Sequence, residues 1–296
     1  MKEWIEAMRL RTLPVSTAGV LAGIGCAANH GAFAWPQAVI CMVFAVIAQI
    51  ASNFANEYYD YKNGLDKKGR EGFRRGVTEG DIKPEAMKRS TYGLLAFDAV
   101  IGCSLIYWGG WWLIFVGIAV AIFAVAYSTG PYPLSHHGLG DVAVVIFFGF
   151  VPVVFTEYVQ TGYWHLNSVT VCVSLAVGLM AANVLIVNNY RDADDDRTVG
   201  KHTTVVIFGR KAMGRVYMLN GAVALIAFAA ASSWAPQMTV VGWIVLLWAQ
   251  IKLWNSLRTL KGVALNNVLK FTAILLLVCA IYILVILAVW PKPIEG

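Results

Sequence analysis

The amino-acid sequence predicts an all-α, polytopic membrane protein that forms one domain over residues 1–296. Hydrophobic residues make up 58% of the chain and charged residues only 14%, whereas an average soluble domain carries about 25% charged residues. The hydrophobic residues fall in runs of about 20, the length at which an α-helix spans a bilayer. Basic residues are confined to alternate connections between these runs, as expected for helical membrane proteins.

Nine apolar runs predict nine transmembrane helices. Their ranges, in chain order, are 13–29, 36–55, 91–107, 111–128, 142–160, 167–187, 216–233, 238–254 and 270–290. The odd-numbered runs are followed by short and almost uncharged segments, namely His30–Trp35, Trp108–Gly110, Thr161–Leu166 and Ala235–Gln237. The even-numbered runs end at longer polar segments, so successive helices alternate between a weakly charged side and a polar side of the membrane.

The distribution of basic residues predicts the orientation. With the N-terminus inside the cell, 22 of the 23 lysine and arginine residues lie on the inner side, and Lys292 lies outside. Because inner connections carry an excess of Lys and Arg, we expect the N-terminus and the polar chemistry at the cytoplasmic face of the cytoplasmic membrane. The net charge of +6 then reflects orientation and attraction to anionic lipid, and it does not indicate a nucleic-acid partner.

Two acidic clusters follow apolar runs directly. The first runs from Asn53 to Asp60, with Asp66 six residues further on, and the second runs from Asn188 to Arg197. Carboxylates are costly near hydrocarbon, and clusters of them there are usually functional. Each cluster follows the second helix of a four-helix stretch. We therefore expect two four-helix halves in parallel orientation, with both clusters in an active-site cavity that faces the cytoplasm.

Helical spacing reduces each cluster to a stripe of oxygen ligands. Asn56 and Asp60 lie four residues apart and share one helix face, and Asn188, Asp192 and Asp196 repeat this spacing twice. Carboxylate and amide oxygens suit a hard cation such as Mg²⁺, whose coordination substrate phosphate oxygens complete. A single acidic pair at a helix end is usually a solvated cap, but two matched stripes favour a metal–diphosphate site.

Other acidic residues, the histidines and the cysteines give weaker signals. Asp194 and Asp195 point away from the second stripe, and we expect them to be solvated. Asp98 lies within the third predicted helix, where we expect a polar partner, and His136-His137 indicate a polar loop. Asp141 begins the fifth helix, where it either complements the helix dipole or is functional. The five cysteines lie scattered in apolar runs and are expected to be small buried residues.

Basic residues beside the stripes suit a polyanion such as diphosphate. Arginine and lysine can bind the phosphate oxygens that a metal leaves free. The residues concerned are Arg191, Arg197 and Lys201 beside the second stripe and Lys62, Lys67, Arg70, Arg74 and Arg75 after the first. Most of them are expected to be anchors at the inner leaflet. Arg75 and Lys201 stand in glycine-containing turns and are the stronger candidates for binding.

The paired stripes resemble the motifs of the UbiA superfamily of intramembrane aromatic prenyltransferases. In that family the pattern Asn-Asp-x-x-Asp and a further Asp are followed by a second motif, Asp-x-x-x-Asp. The matching residues are Asn56, Asp60 and Asp66, then Asp192 and Asp196. The six-residue step from Asp60 to Asp66 is similar to the branch that prenylates 1,4-dihydroxy-2-naphthoate in menaquinone synthesis.

The resemblance extends from the first helix to about Gly209. It includes the segments Arg9–Pro14, Gly138–Asp141, Phe147–Gly149 and Asn188–Thr203. The chain also departs from the family pattern. Glu57 replaces the usual Asp, Gly72-Phe73-Arg74-Arg75 replaces Gly-Pro-x-Arg, and the loop from Tyr127 to Gly140 lacks the basic residue that relatives often have there.

The resemblance implies a Mg²⁺-dependent enzyme that transfers a polyprenyl group from polyprenyl diphosphate to 1,4-dihydroxy-2-naphthoate. Diphosphate and CO2 would be released, and the product would be demethylmenaquinone. The implied metal ligands are Asn56, Asp60, Asp66, Asp192 and Asp196, and the implied catalytic residues are Asp60, Asp192 and Asp196. The implied substrate-binding residues are Asn56, Asn188, Arg75, Lys201, Arg191 and Tyr127.

Other functions stay open at the level of the sequence. A relative with another aromatic acceptor, such as 4-hydroxybenzoate, haem or chlorophyllide, would share both motifs. A cation-coupled transporter also uses acidic residues within a helix bundle, but its sites usually lie near the membrane midplane between inverted repeats. A lipid phosphotransferase with clustered aspartates would carry a longer Asp-Gly-x-x-Ala-Arg pattern, which this sequence lacks.

Overall fold

A computed structural model describes residues 1–69 and 72–292, and the described residues form helices without a β-strand. Nine long helices occur in this part of the chain. They are α1 (Pro14–Asn29), α2 (Trp35–Lys62), α3 (Pro84–Ser104), α4 (Leu113–Ala126), α5 (Gly140–Thr161), α6 (Ser168–Thr198), α7 (Thr204–Ala230), α8 (Met238–Thr259) and α9 (Leu265–Val289). The short helix Lys2–Met8 precedes α1, and the short helix Gly76–Glu79 lies between α2 and α3. A third short helix, Ile106–Gly109, extends α3. The predicted all-α class is confirmed.

Seven of these helices are long and apolar enough to cross a membrane, namely α2, α3 with its extension, and α5 to α9. An eighth span results if α1 is taken together with the segment Lys2–Thr12, from which it is bent by 47°. α4 is apolar but has only 14 residues, fewer than the roughly 20 of a full span. The membrane-protein class is thus confirmed, whereas nine spans and their orientation stay predictions.

Helices α2 and α6 are longer than their apolar runs predicted. α2 continues past residue 55 to Lys62, and α6 continues past residue 187 to Thr198. The apolar runs stop where polar residues begin, but backbone hydrogen bonding continues past that point because it does not depend on side-chain hydropathy. Both stripes therefore lie on helices, as their four-residue spacing requires.

Helix α6 forms the centre of the bundle, because it packs against α1, α5, α7 and α9. Its contact with α5 depends on two glycines. A Cβ atom at Gly149 would lie 2.5 Å from the Ser174 carbonyl oxygen, and one at Gly178 would lie 2.7 Å from the Val145 carbonyl oxygen. Small residues let helix backbones approach closely in membranes. This close contact fixes the position of the helix that carries the second stripe.

The structure corrects two expectations about buried groups. Asp98 is 3% exposed, but its Oδ1 atom makes no hydrogen bond within the described residues, so the expected polar partner is not found there. The cysteines are all free; Cys26, Cys41 and Cys279 are buried, Cys172 is half-buried and Cys103 is exposed. The expected burial of Cys103 was wrong. Cys103 lies on α3, which is the least buried of the seven candidate spans.

Candidate functional site

The C-terminal ends of α2 and α6 meet at a polar cavity of about 130 Å³. Most of the candidate residues line it. They are Asn56, Arg75, Tyr127, Asn188, Asp192, Asp196 and Lys201. The remaining candidates, Asp60, Asp66 and Arg191, each contact a residue that lines it. The structure therefore brings together residues from two distant segments, as the predicted parallel arrangement of the halves requires.

Asp60 on α2 is 1% exposed and is surrounded by basic groups. Its Oδ2 atom lies 3.2 Å from Lys201 Nζ and 3.7 Å from Arg75 Nη2, and it accepts a hydrogen bond from Asn56 Nδ2 at 3.1 Å. Its Oδ1 atom lies 3.5 Å from His136 Nε2. Burying a carboxylate is costly unless opposite charges and hydrogen bonds offset the lost hydration, and these neighbours supply both.

Asn56 links the first stripe to two arginines. Its Oδ1 atom accepts hydrogen bonds from Arg9 Nη2 at 2.6 Å and from Arg75 Nη2 at 3.0 Å. Its Nδ2 atom donates to Asp60 and also to Ser128 Oγ at 3.0 Å. One amide thus connects the segment before α1, the loop after α2 and the end of α4.

Arg75 is almost fully buried and connects the cavity to Asp66. The Nε atom of Arg75 lies 3.2 Å from the Oδ2 atom of Asp66. The short helix Gly76–Glu79 follows Arg75 directly and is attached to α2, because Val77 N–H donates to Glu57 Oε1 at 3.1 Å. The carboxylate of Glu57 reaches this backbone group on an arm one methylene longer than that of the aspartate usual in UbiA-like sequences. Glu57 thereby helps to hold Arg75 in place.

Arg191 contacts the second stripe and does not line the cavity. Its Nε and Nη2 atoms donate to the two carboxylate oxygens of Asp192 at 2.7 and 2.8 Å. Two further hydrogen bonds reach the amide oxygens of Asn188 at 2.8 Å and Asn266 at 2.7 Å. A two-point contact fixes both the position and the orientation of a carboxylate. Arg191 therefore orients Asp192.

Lys201 reaches the cavity because α6 ends at a glycine. Gly200 has φ +74°, and the N–H groups of Lys201 and Gly200 donate to the carbonyl oxygens of Asp196 (2.9 Å) and Arg197 (3.3 Å). This pair of bonds is the Schellman motif, which ends a helix at a residue in the left-handed conformation. The chain reversal places Lys201 beside the end of the second stripe.

Other charged residues of the two clusters lie nearer the surface. The side chain of Asp194 is 71% exposed and pairs with exposed arginines, which confirms that it lies off the stripe, while Asp195 is half-buried. Arg74 pairs with Asp81, whose carboxylate raises the pKa of the guanidinium. Arg70 lies outside the described residues.

Two basic residues of the site were missed from the sequence. Arg9 was counted as a cation on the inner side and as part of a segment that resembles the family, but not as a site residue, yet it lines the cavity and donates to Asn56. It has φ +53° and ends the helix Lys2–Met8 just before the bend into α1. His136 lies in the polar loop that was predicted between α4 and α5, but its side chain is 13% exposed beside Asp60, and this role in the site was not predicted. Both residues lie in or beside segments that the family resemblance covers.

Tyr127 follows α4 and lines the polar cavity. Burial raises the pKa of its phenol, and the nearby carboxylates of Asp141 and Asp60 raise it further. The Tyr127 hydroxyl can therefore donate or accept a hydrogen bond in the cavity.

A second cavity, of about 270 Å³, adjoins the polar one. The two cavities share Gln49, Ser52, Phe123 and Phe148 in their walls. Most of the other walls are apolar side chains of α2, α3, α4 and α5. The bundle thus offers a charged cavity for an anionic group and, next to it, an apolar cavity for a hydrocarbon chain.

The acidic residues do not form a preassembled metal cluster. In residues 1–69 and 72–292, no three His, Cys, Asp or Glu side chains converge as metal ligands do. Asp60 and Asp192 instead pair with Lys201 and Arg191. The donor set still fits a hard cation chemically, because the stripes present carboxylate and amide oxygens. In addition, Oδ1 of Asp60 is buried and accepts no hydrogen bond from the described residues. Magnesium ligation stays a prediction.

Known proteins resemble this chain over most of its length. The UbiA prenyltransferase family matches residues 16–274. The 1,4-dihydroxy-2-naphthoate octaprenyltransferase of Escherichia coli (strain K12) is 32% identical over 292 residues, covering 91% of this chain and 89% of that protein. The protein of the same name from Mycobacterium tuberculosis (strain ATCC 25618 / H37Rv) is 34% identical over 207 residues, covering 70% of each chain.

Solved structures share the fold. A UbiA homolog from Archaeoglobus fulgidus bound to GPP and Mg²⁺ has a TM-score of 0.67 and 15% identity, covering 97% of this chain and 99% of that one. The apo UbiA homolog from Aeropyrum pernix K1 has a TM-score of 0.67 and 17% identity, covering 93% and 97%. At these identities the likeness concerns the fold alone. Because the family match covers most of the sequence, the chain belongs to the UbiA prenyltransferase family.

Proposed function

We propose that the protein transfers a polyprenyl group from polyprenyl diphosphate to 1,4-dihydroxy-2-naphthoate, releasing diphosphate and CO2 and giving demethylmenaquinone. The observation that carries the proposal is the junction of the two cavities, one lined by residues of both stripes and the other apolar. A substrate with an anionic head and a hydrocarbon tail fits such a junction. The choice of acceptor is supported by the relative from Escherichia coli, which is named for dihydroxynaphthoate.

The two stripes are proposed to hold Mg²⁺. The ligands would be Asn56, Asp60, Asp66, Asp192 and Asp196, with Asp60, Asp192 and Asp196 as the catalytic residues. When bound, Mg²⁺ offsets the negative charge that grows on the departing diphosphate. The Archaeoglobus fulgidus homolog bound to GPP and Mg²⁺ supports a divalent cation in this fold.

Arg75 and Lys201 are proposed to bind the diphosphate oxygens. Both line the cavity, and both lie within 4 Å of Asp60. Arginine offers a planar pair of donors and lysine a compact charge, and fixed cations of this kind stabilise charge that develops in the transition state. Arg191 would act through Asp192, which it orients. Asn188 and Tyr127 would bind the substrates as neutral hydrogen-bonding groups.

The proposed reaction breaks the C–O bond between the prenyl group and diphosphate, and the electron pair of that bond leaves with the diphosphate. The resulting allylic cation needs a water-poor surrounding, which the apolar walls of the second cavity supply. The electron-rich naphthoate ring then forms the new C–C bond. Its carboxylate leaves as CO2 and returns an electron pair to the ring.

We further propose that α1 to α9 all cross the cytoplasmic membrane, with the N-terminus and the site on the cytoplasmic side. The distribution of basic residues supports this orientation. A thiol reagent that does not cross membranes is expected to label Phe33→Cys but not Lys62→Cys in intact cells, each made in a cysteine-free variant. The reverse labelling pattern would invert the orientation.

The function is tested by incubating purified protein with Mg²⁺, a polyprenyl diphosphate and equal amounts of dihydroxynaphthoate and 4-hydroxybenzoate. We expect only the naphthoate to be prenylated, and no product once EDTA removes the divalent cation. Asp60→Asn and Asp192→Asn should lower turnover by about 10²- to 10³-fold, as the loss of a group that stabilises developing charge does. Exposed Asp194→Asn is the matched control. Prenylation of 4-hydroxybenzoate alone would contradict the assignment of dihydroxynaphthoate as the acceptor. A folded Asp60→Asn variant with normal turnover would contradict the assignment of the catalytic site.

A further inference from the structure

The loop between α6 and α7 (residues 199–203, the α6–α7 loop) carries Lys201 towards Asp60. On its N-terminal side the loop is fixed, because Lys201 N–H donates to the Asp196 carbonyl oxygen in the Schellman motif. A lysine side chain is a flexible four-carbon stem, so this anchor alone does not decide where the ammonium group lies. The position of Lys201 Nζ, 3.2 Å from Asp60 Oδ2, also depends on what holds the far end of the loop.

The far end of the loop pairs with the loop between α4 and α5 (residues 127–139, the α4–α5 loop). His202 N–H donates to the His136 carbonyl oxygen at 3.1 Å, and His137 and His202 form an isolated bridge between the two loops. The α4–α5 loop also packs tightly against the start of α7 at Gly138, where a Cβ atom would lie 2.9 Å from Ile207 Cδ1. The two loops therefore form one unit beside the cavity.

Besides the bond from Asn56 to Ser128, a side-chain hydrogen bond at the base of the two loops joins α7 to α5. Thr204 Oγ1, in the first residue of α7, donates to Asp141 Oδ2 at 2.6 Å, in the first turn of α5. Thr204 is buried, and the Asp141 Oδ1 atom is buried without a hydrogen bond in the described residues. Neither residue lines the polar cavity or the apolar one. Direct contact with substrate therefore does not explain why a carboxylate is buried here.

We infer that the hydrogen bond between Thr204 and Asp141 positions Lys201 for diphosphate binding. Thr204 and Asp141 are thus positioning residues of the reaction. The bond fixes Thr204, three residues after Lys201, to the start of α5. On the N-terminal side of Lys201, the Schellman motif fixes the chain to the end of α6. A cation held from both sides loses less conformational freedom when it binds an anion. The inference rests on the proposed function, because Lys201 is assigned to diphosphate there.

The test measures the dissociation constant of Mg²⁺-diphosphate by calorimetry on the full-length protein in detergent. Thr204→Val removes the hydroxyl at nearly constant shape and is expected to weaken binding about 10-fold, at the lower end of what loss of a supporting contact costs at ion sites. Thr204→Ser keeps the hydroxyl and should bind within twofold of the unmodified protein. Thr198→Val is the matched control, because Thr198 Oγ1 accepts a hydrogen bond from Lys67 at the surface. If Thr204→Val does not fold, Thr204→Ala removes the same hydroxyl.

A double-mutant cycle separates positioning from a general loss of structure. Lys201→Met should weaken diphosphate binding by about 10-fold or more, and adding Thr204→Val to it should change binding by less than about twofold, because coupled residues do not act additively. Additive effects, or unchanged binding in both Thr204→Val and Thr204→Ala, would overturn the inference, as would normal binding in Lys201→Met. If the cycle shows this coupling but no aromatic acid is prenylated, the proposed function fails and the positioning role stands.

Discussion

Replacing Arg191 tests how far activity depends on the orientation of Asp192. The side chain of Arg191 is 1% exposed. It makes four hydrogen bonds, two to Asp192 and one each to Asn188 and Asn266. Arg191→Met keeps an unbranched chain but removes the charge and all four hydrogen bonds. Arg191→Lys keeps the charge but loses the planar fork that meets both carboxylate oxygens.

The expected magnitudes follow from the burial of the pair. Arg191→Met leaves the buried carboxylate of Asp192 without the partner that orients it. Losing one group that stabilises developing charge lowers turnover about 10²- to 10³-fold, and we expect kcat/KM for the prenyl diphosphate to fall by that amount. Arg191→Lys loses the second contact to Asp192, and a hydrogen bond to a charged group contributes about 1.5–3 kcal/mol. Its kcat/KM should fall by about 10- to 100-fold.

The assay is prenyl transfer at saturating dihydroxynaphthoate, with the unfolding temperature measured in the same detergent. Arg210→Met is the control, because Arg210 on α7 donates to exposed Asp194 and to the Tyr190 carbonyl oxygen of α6 and does not line the polar cavity. Exposed pairs contribute at most about 1 kcal/mol, so this variant should lose less than about fivefold. The reasoning is refuted if Arg191→Met is as active as Arg210→Met, or if Arg191→Lys is no better than Arg191→Met.

Three further predictions concern the surroundings of the site. Gly117 lines the apolar cavity and Gly93 does not, although a Cβ atom at either glycine would have no other atom within 4 Å. Gly117→Phe should therefore lower kcat/KM about tenfold for long-chain donors, because the phenyl ring would keep about two methylene groups of the prenyl chain from being buried. It should spare dimethylallyl diphosphate, and Gly93→Phe should be neutral; equal losses for all donors would contradict this use of the cavity. Glu57→Asp should raise KM for the prenyl diphosphate about tenfold by losing a charged hydrogen bond to the short helix after Arg75, and an unchanged KM would argue against that contact. Arg9→Ala should lower kcat/KM about tenfold through its lost hydrogen bond to the site, whereas exposed Arg11→Ala should behave as unmodified protein; equal losses in the two variants would remove Arg9 from the site.

Local patterns were enough to predict the helices and both stripes. A run of about 20 apolar residues predicts a span because bilayer thickness sets its length, and a four-residue spacing predicts a shared face because of the helix period. The ends of α2 and α6 could not be predicted this way, because apolar runs stop before the helix does. Glycine also gave a usable local signal, since Gly200 reverses the chain and brings Lys201 to the cavity.

Contacts between distant segments were only partly predictable: the sequence placed the two stripes with Arg75 and Lys201 in one cavity, but it did not predict the other partners. Arg9 and His136 reach Asn56 and Asp60 from positions 47 and 76 residues away in the chain, and neither stands in a repeated pattern. Arg191 was assigned to substrate from its position beside the stripe, but in the structure it contacts its neighbour Asp192. Which cation meets which carboxylate is decided by how the loops cross the helix ends, and hydropathy carries no information about that.

The sequence by itself determined that this is a helical membrane protein with two matched acidic stripes, because both features depend on spacings within single helices. The tertiary structure decided which cations pair with the carboxylates of the stripes. It surrounds Asp60 with Lys201, Arg75 and His136, orients Asp192 through Arg191, and sets an apolar cavity beside them. The physical reason is that buried charges must be paired where hydration is lost, and the partners come from whichever segments the packing of the bundle brings within reach.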